Sequence, residues 1–452
     1  MADNQNRNSC GNTWPQAGYN GLNGYNTAGF GPDRIPINYA GNATQRGVNN
    51  FNMAPPPMGG GGPMGTTFEC NTCNNDPMYT PFGGGCGPVN RNACPLKSFC
   101  DPGLANTCTS RPIVYPGGGR RTISTWKMNY LVSNRMNGAA HIDAAVIDPW
   151  GIVVFNSQLW VANSFTDTIT NYDLFGNKVL GTITIRNAEQ DSSFPTGIAI
   201  NCGNGFVLFG NDRTKSAQFL VGTKYGVVAA YSPNVDAQVS TVVINRQIEG
   251  VVKIYRGIAI ANGLLYCADF LSGNINVFDY RYNVLTNFTF IDGDVSNPIP
   301  LDYGPVNIVH IGNYLYVLWA RRDPILPIRP IDGPGLGYIS VFNLDGSFVR
   351  RFTSAGVLDN PWAMIPAPCE CGIPPGSFLV SNHGDGRINI FDCNGKCVGP
   401  LLNMSALPIT IDGLWGLAPY YVNFSEIFFT SSSNENIDGL IGSIVKDQVI
   451  CY

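Results

Sequence analysis

Short polar runs in this 452-residue chain hold the side chains that could do chemistry, and each run follows an apolar stretch. Asn163, Asp212, Asp269 and Asp385 occupy four of these runs. A hard cation such as calcium needs several converging oxygen ligands, so these residues predict a calcium site if their loops meet. Because tight turns also select Asn, Asp and Gly for backbone reasons, turn geometry explains the same residues without a metal.

His383 is the best candidate for acid–base work, because it lies in a polar loop near Asp385 and an imidazole titrates close to neutral pH. His310 lies in an apolar run and is interpreted as a core residue. The chain has no G-x-S-x-G motif and no phosphate-binding loop, so acyl transfer and nucleotide chemistry have no support. Apart from His383 we name no catalytic residue, and the sequence leans towards a protein that is not an enzyme.

The elements that must position these loops are copies of one unit. The stretch Pro149 to Gly176 contains three short strand-like runs separated by polar turns, and a fourth run follows. One such sheet is too small to bury its own faces and needs copies beside it. Similar units open near residues 149, 195, 255, 305, 361 and 414. Six units with a spacing of about 50 residues predict an all-β, six-bladed β-propeller.

The propeller is expected to occupy residues 122–452, with its ends joined in one blade. The run 122–133 is strand-like, and the sixth unit has room for one more strand, so we expect residues 122–133 to close the last blade. The opening run of each unit is apolar and small, which suits an inner strand at a crowded axis. The second runs carry aromatic residues expected to pack between blades, namely Trp160, Tyr266, Tyr316, Phe378 and Phe428.

An irregular arm rich in Asn, Gly and Pro precedes the propeller. Residues 1–69 are of low complexity but contain scattered aromatic side chains, which are typical of an extended arm that binds a neighbouring surface; a disordered tail is the alternative. Residues 70–121 hold six cysteines and a linker, and this spacing favours a disulfide-stapled segment over a zinc site. The cysteines expected to form disulfides in this arm are Cys10, Cys70, Cys73, Cys86, Cys94, Cys100 and Cys108.

Five cysteines of the propeller are also disulfide candidates. Cys369 and Cys371 lie in the same unit as Cys393 and Cys397, and a hairpin would bring the two pairs together. We prefer two local disulfides to a four-thiolate metal site, because this spacing is unusual for zinc. Cys451 is expected to pair within the domain or with a neighbouring chain.

The composition excludes some partners. Charged residues make up 13% of the chain and the net charge is −4, so no basic stripe exists that could neutralise nucleic-acid phosphates. No apolar run is long enough to span a membrane, and the N-terminus lacks the features of a secretory signal. Disulfides without a secretory signal require another oxidation route, such as that of large DNA viruses with their own thiol oxidase.

Several motifs in order along the chain resemble one known family. DPWGIVVFNSQLWVANSFTDTITNYDLFGN, PTGIAI, YRGIAIA, GPVNIVHIGNYLYV, HGDGRINIFD and IDGLWGLA are similar to a family of bacterial propellers of the NHL-like type. Members of that family are often exported and carry a PEP-CTERM sorting tail. The resemblance implies six blades and no particular activity. In composition, the arm resembles virion proteins of giant amoebal viruses.

The sequence therefore predicts a structural, non-enzymatic assembly protein. In this hypothesis disulfides lock the propeller, the arm binds other copies of the chain, and the setting is a virus particle or another extracellular assembly. No cofactor is required, with calcium as the one candidate. A metal-dependent propeller hydrolase or lactonase and a carbohydrate- or ligand-binding propeller are the alternatives.

Overall fold

The computed structural model describes residues 122–136, 138–187, 192–210, 214–245, 252–368, 373–374, 376–420 and 426–451. These residues form strands and turns, and no helix occurs among them. The arm and the Cys-rich segment (1–121) lie outside the described residues, as do Asp212, Cys369 and Cys371.

The described chain contains 28 strands. The first fourteen are β1 (Thr122–Ser133), β2 (His141–Ile142), β3 (Pro149–Phe155), β4 (Gln158–Asn163), β5 (Thr168–Asp173), β6 (Ile183–Thr184), β7 (Pro195–Ile200), β8 (Val207–Phe209), β9 (Thr214–Ser216), β10 (Phe219–Thr223), β11 (Val227–Tyr231), β12 (Thr241–Asn245), β13 (Tyr255–Ala261) and β14 (Leu264–Asp269). The others are β15 (Asn274–Phe278), β16 (Val284–Leu285), β17 (Tyr303–Ile311), β18 (Tyr314–Arg321), β19 (Tyr338–Asn343), β20 (Phe348–Ser354), β21 (Pro361–Pro366), β22 (Phe378–Asn382), β23 (Ile388–Phe391), β24 (Cys397–Pro400), β25 (Leu402–Asn403), β26 (Leu414–Pro419), β27 (Glu426–Ser433) and β28 (Asp438–Cys451).

The strands form six blades, which confirms the predicted fold. From the inside outwards, the blades are β3-β4-β5-β6, β7-β10-β11-β12, β13-β14-β15-β16, β17-β18-β19-β20, β21-β22-β23-β24 and β26-β27-β28-β1. The six inner strands are β3, β7, β13, β17, β21 and β26. Each inner strand contacts the next one, and β26 contacts β3, so the inner strands form a closed ring around one axis.

The same register opens five of the six blades. Pro149 lies opposite Asn163, and the equivalent pairs are Pro195 with Thr223, Tyr255 with Asp269, Pro361 with Asn382 and Leu414 with Ser431. A register shift follows at once in each of these blades. In the fourth blade β17 is longer, and the shift comes after Pro305. This repeated geometry brings the second residue of each opening motif to the same level along the axis.

Small residues after the opening positions allow the inner strands to pack closely. A Cβ atom on Gly416 would lie 2.7 Å from the carbonyl oxygen of Trp150 in the next blade, and one on Gly151 would lie 2.6 Å from that of Thr196. Real Cβ contacts are not this short, so these positions require glycine. The expected crowding at the axis is thus a backbone-to-backbone constraint.

The second blade differs from the expected layout. Its second strand is β10, and the hairpin β8–β9 is an insertion between β7 and β10 that forms a separate two-stranded sheet. Asp212 falls between β8 and β9 in the chain, outside the described residues. The loop that follows the second strand of this blade therefore begins at Lys224, and the polar run that holds Asp212 is not that loop. Hydrophobic periodicity could not separate one short strand pair from another.

The sixth blade joins the two ends of the described chain. β1 pairs antiparallel with β28 from Thr122 opposite Cys451 to Ser133 opposite Leu440. The outer edge of β1 is itself covered at both ends, because β2 and β25 pair with it in parallel. β25 follows the fifth blade in the chain, so β1 also links blades five and six. Covered edges limit pairing with foreign strands.

The core lies between neighbouring blades. The five aromatic residues predicted to pack there are all buried. Trp160 packs against Phe219 of the second blade, with ring centroids 4.5 Å apart, and Tyr316 of the fourth blade packs against Phe378 of the fifth at 5.4 Å. Aromatic pairs of this kind stabilise the contact between successive blades.

Candidate functional site

Three tryptophans and an arginine fill the axis at one level. Trp150, Arg256, Trp362 and Trp415 are the second residues of their inner strands, and all four are buried. We name these four residues the axial cluster. The rings of Trp150 and Trp415 stack with centroids 4.1 Å apart, and Trp362 meets both edge-on at 5.0 Å. The Arg256 guanidinium lies 5.1 Å from the Trp150 ring centroid, in cation–π geometry.

Side chains from neighbouring blades hold the backbone of this cluster. The carbonyl oxygen of Trp150 accepts a hydrogen bond from Thr430 Oγ1 at 3.0 Å. Ser381 Oγ donates to the Trp415 carbonyl at 2.9 Å, and Asn307 Nδ2 donates to that of Trp362 at 2.7 Å. These bonds cross from blade to blade, so the positions of the tryptophans depend on closure of the whole ring.

A second layer of side chains lies over the axial cluster. It is formed by residues at or just after the ends of the second strands, among them Ser164, Lys224, His383 and Ser432. In every blade the backbone amide of this residue donates to the carbonyl of the residue that precedes the inner strand, which in blade four is Asp302. The six bonds measure 2.7 to 3.1 Å. This repeated bond brings the loops of six blades together over the axis.

His383 belongs to this second layer and lies over Trp415. The two rings stack with centroids 3.7 Å apart, and His383 Nδ1 lies 3.2 Å from the Leu414 carbonyl oxygen. A carbonyl only accepts, so Nδ1 donates and Nε2 is the acceptor of the neutral ring. Burial lowers the pKa of His383, while the Asp332 and Asp148 carboxylates act in the opposite direction. The candidate acid–base residue thus reaches the axial site, as a neutral imidazole.

Asp148 and Lys224 form a buried ion pair beside Trp150. Lys224 Nζ lies 3.6 Å from Asp148 Oδ2 and 4.3 Å from the Trp150 ring centroid. Asp148 Oδ1 accepts a hydrogen bond from Ser432 Oγ at 2.9 Å, and Trp415 Nε1 donates to the same hydroxyl oxygen at 2.6 Å. Asp148 Oδ2 and Lys224 Nζ have no hydrogen-bond partner in the described part of the chain.

A long loop of the fourth blade extends over the axial cluster. This loop, residues 323–335 between β18 and β19, is named the cover loop here. Arg256 Nη2 donates to the Ile328 carbonyl at 2.8 Å, so the loop is tied to the axial cluster. Asp359 Oδ1 accepts from the Gly333 amide at 2.7 Å, and Asn360 Nδ2 donates to Asp332 at 2.9 Å. Burial raises the pKa of Asp359, and the negative charges of Asp332 and Asp385 raise it further.

Three of the four predicted calcium ligands lie in the described structure, and each makes contacts within its own blade. Asn163 and Asp269 end the second strands of different blades, where Asn163 Nδ2 donates to Thr168 and Thr170. Asp269 pairs with Lys253, and Asp385 accepts from Asn382 Nδ2 within its own loop. Asp212 lies outside the described residues. No group of three or more His, Cys, Asp or Glu side chains in the described residues could hold a metal ion.

The thiols of Cys393 and Cys397 are half-buried in the hairpin between β23 and β24, and neither is in a disulfide. Their expected partners, Cys369 and Cys371, are not among the described residues. The disulfides of the arm and that of Cys451 also involve side chains outside the described part, so all these pairings stay predictions.

Sequence reasoning missed the axial cluster and Lys224. A usable signal was present, because the opening motifs read PWG, PWA and LWG in the first, fifth and sixth units and place Trp at one repeated position. Arg256 occupies the same position in the third unit. Aligning the units with one another predicts four large side chains at one level of the axis. For Lys224 no such signal exists, because the inserted hairpin obscures the register of its blade.

Comparison with known proteins shows the relationships of the chain. It is 59% identical over 372 residues to an uncharacterised protein of Acanthamoeba polyphaga mimivirus, a match that covers 81% of this chain and 93% of the viral protein. A second uncharacterised mimivirus protein is 59% identical over 369 residues, covering 82% of this chain and 98% of that protein. The chain belongs to the family of these mimivirus proteins. No family model matches the chain.

These relatives change the family to which this mimivirus-family propeller was expected to belong. The resemblance to exported bacterial propellers with a PEP-CTERM tail is not supported, and the relatives come instead from a giant amoebal virus. The six-bladed fold that the bacterial resemblance implied is confirmed. The chain also contains no described helix long and apolar enough to cross a membrane.

Solved structures show similarity of fold at low sequence identity. A Bacteroides thetaiotaomicron protein of unknown function has a TM-score of 0.46 at 13% identity, covering 72% of this chain and 77% of that one. A gluconolactonase from Xanthomonas campestris has a TM-score of 0.42 at 12% identity, with coverage of 74% and 99%. A PQQ-bound aldose sugar dehydrogenase from Streptomyces coelicolor has a TM-score of 0.43 at 13% identity, with coverage of 72% and 99%. Likeness at this level says nothing about activity.

Proposed function

We propose that this protein is a non-enzymatic structural component of a virus particle, in which the propeller is a rigid block and the N-terminal arm binds neighbouring subunits. The observation that carries the proposal is the position of Thr122. The strand that closes the propeller starts at the outer edge of the sixth blade, where Thr122 pairs with Cys451. The 121 residues that precede it therefore join the propeller at its rim, away from the axial cluster.

Exposed apolar side chains near the same edge support an assembly role. Tyr130 on β1, Ile142 on β2 and Phe175 in the turn after β5 are exposed. Their strands are adjacent, because β2 pairs with the end of β1 and Gly176 lies against Leu131 and His141. Adjacent exposed apolar side chains of this kind fit a protein-binding surface. The giant-virus relatives are consistent with a place in a virion.

Truncation at two points tests this proposal. A chain that starts at residue 122 keeps β1, so we expect it to be a folded monomer that no longer assembles with other copies. A chain that starts at residue 134 lacks β1, which leaves β28 unpaired on its outer side, and we expect it to aggregate or unfold. Light scattering and far-ultraviolet circular dichroism distinguish these outcomes. A chain starting at residue 122 that still forms the oligomer of the full-length protein would refute the arm as the assembly element.

The disulfide part of the proposal has its own test. Mass spectrometry of the full-length protein under non-reducing conditions counts free thiols directly. We expect most of the fourteen cysteines to be oxidised and the oligomer to weaken in reductant. Free thiols throughout would remove the locking role. The metal-dependent hydrolase alternative predicts stoichiometric calcium or zinc after gentle purification instead.

A further inference from the structure

A lysine–aspartate pair in the third blade has both of its carboxylate oxygens hydrogen-bonded and serves as a comparison for the pair at the axis. In the third blade, Lys253 Nζ lies 3.0 Å from Asp269 Oδ2. Asp269 also accepts from the Ile254 amide at 3.1 Å and from Ser272 Oγ at 2.6 Å. Each oxygen of the Asp269 carboxylate is therefore hydrogen-bonded.

The pair at the axis is different. Lys224 and Asp148 side chains are 5% and 1% exposed, and their closest charged atoms are 3.6 Å apart, beyond hydrogen-bonding distance. Lys224 Nζ and Asp148 Oδ2 have no hydrogen-bond partner within the described chain. Buried charged groups in folded proteins are almost always hydrogen-bonded, so these atoms indicate a missing partner.

Two further unsatisfied groups belong to the same place. Trp150 Nε1 and Ser164 Oγ are buried without a hydrogen-bond partner in the described residues. Ser164 is adjacent to Asp148 because its amide donates to the Asp148 carbonyl at 2.9 Å. Trp150 lies under Lys224. Asp148 adopts a left-handed backbone conformation with φ of 50°, as do Phe194 and Asn360 at the same position of blades two and five, so this conformation belongs to the repeated turn.

We infer that these four residues form a binding site for an uncharged polyhydroxylated molecule, a monosaccharide or polyol. The unsatisfied atoms comprise an ammonium, an indole N–H, a carboxylate oxygen and a hydroxyl. A ligand hydroxyl both donates and accepts, so vicinal hydroxyls satisfy donors and acceptors together. Asp148 and Lys224 cancel each other's charge, which favours a neutral ligand. Trp150 Nε1, which has no hydrogen-bond partner among the described residues, donates to one of these hydroxyls.

A bound cation fits these residues less well. Asp148 Oδ2 and Ser164 Oγ are oxygens of the kind that calcium prefers, but the Lys224 ammonium already lies beside the carboxylate. A second positive charge at the same oxygen would be repelled.

The cover loop controls access to this site. Arg256 contacts the Trp150 ring and donates to the Ile328 carbonyl, so this side chain connects the loop to the site. Gly333 and Asp332 attach the loop to Asp359 and Asn360 through single hydrogen bonds. The loop is also held by backbone bonds from the Ile331 amide to Arg321 at 2.9 Å and from the Gly335 amide to Leu358 at 2.8 Å, so entry of a ligand requires at least part of this set to open.

Tryptophan fluorescence of the full-length protein tests the inference. D-glucose, D-mannose and myo-inositol are titrated separately, with calcium chloride as a fourth probe. We expect a saturable change for at least one polyol, because Trp150, Trp362 and Trp415 lie within 5.0 Å of one another in the site. Lys224→Met is expected to weaken that binding at least about tenfold, since it removes a charged donor. Lys253→Met, at the satisfied pair, is the matched control and should leave binding unchanged.

A second variant covers the case in which Lys224→Met fails to fold. Ser164→Ala removes only a buried hydroxyl without a partner, so it should fold normally and still weaken the polyol. Absence of saturable binding by all three polyols overturns the inference, as does binding that neither Lys224→Met nor Ser164→Ala weakens. Binding of calcium but of no polyol also overturns it and supports a cation site instead. The truncations above test assembly alone. Failure of the truncation test therefore leaves the binding-site inference standing, and failure of polyol binding leaves the assembly proposal standing.

Discussion

Thr122 and Cys451 lie opposite each other in the antiparallel strand pair at the outer edge of the sixth blade. The first and last described residues of the chain are therefore neighbours in one sheet. This pairing converts an open row of six sheets into a ring, and the axial cluster exists only in the closed ring. Stability and the candidate site consequently depend on the same strand.

Trp126 is the residue through which this closure can be measured. It lies on β1 and is almost completely buried, whereas its neighbour Lys127 is exposed. Trp126→Ala should lower the free energy of unfolding by about 3–5 kcal/mol, because a large buried ring is replaced by a cavity. Lys127→Ala should change it by less than about 0.5 kcal/mol. Urea denaturation measures both, and equal effects would contradict the role of β1 as a packed strand of the blade.

A substitution at Gly416 tests how closely the inner strands pack. A methyl group at this position would lie 2.7 Å from the Trp150 carbonyl oxygen, so Gly416→Ala must push blades six and one apart. We expect a loss of about 1–3 kcal/mol of stability and a shift in tryptophan fluorescence. Gly181→Ala is the control, since a Cβ atom there meets nothing within 4 Å. A stable Gly416→Ala variant with unchanged fluorescence would show that the axis is less crowded than described.

His383 makes stability depend on pH. Burial lowers its pKa in the folded protein below 6.5, so the folded state binds fewer protons than the unfolded state. The stabilisation is complete above pH 6.5 and is lost as the pH falls from 6.5 towards the folded pKa. Arg256 adds to this effect, while Asp332 and Asp148 reduce it. His383→Phe keeps a ring over Trp415 without a titrating group, and its melting temperature should fall less than that of the wild type in this range.

Asp359 makes stability depend on pH in the direction opposite to that of His383. Its pKa is raised above 3.8, so its contribution to stability is present below that value and is lost as the pH rises through the folded pKa. Asp359→Asn retains an acceptor for the Gly333 amide and removes the charge near Asp332 and Asp385. We expect the variant to be more stable than the wild type at pH 7, with the difference shrinking at pH 4. Thermal melts at both values decide it, and a variant less stable at pH 7 would mean that the carboxylate charge holds the cover loop.

The sequence by itself determined the class of fold and the position of each blade. Strand-like runs repeat about every 50 residues, and the structure begins inner strands at Pro149, Pro195, Tyr255, Tyr303, Pro361 and Leu414. This information is local, because strand alternation, turn residues and small inner positions are all properties of neighbouring residues. The buried aromatic residues of the second strands followed from the same reasoning.

Only the tertiary structure decided which side chains meet at the axis. Trp150 and Trp415 are at opposite ends of the propeller in the chain, and Asp148 pairs with Lys224 of the next blade, which follows the inserted hairpin in the sequence. The sequence repeat fixes the height of a residue along the axis within its own blade. All six blades, however, place residues at that same height. Ring closure and the summed volume of all six side chains decide which residues pack together at the axis. Neither can be read from any single stretch of sequence.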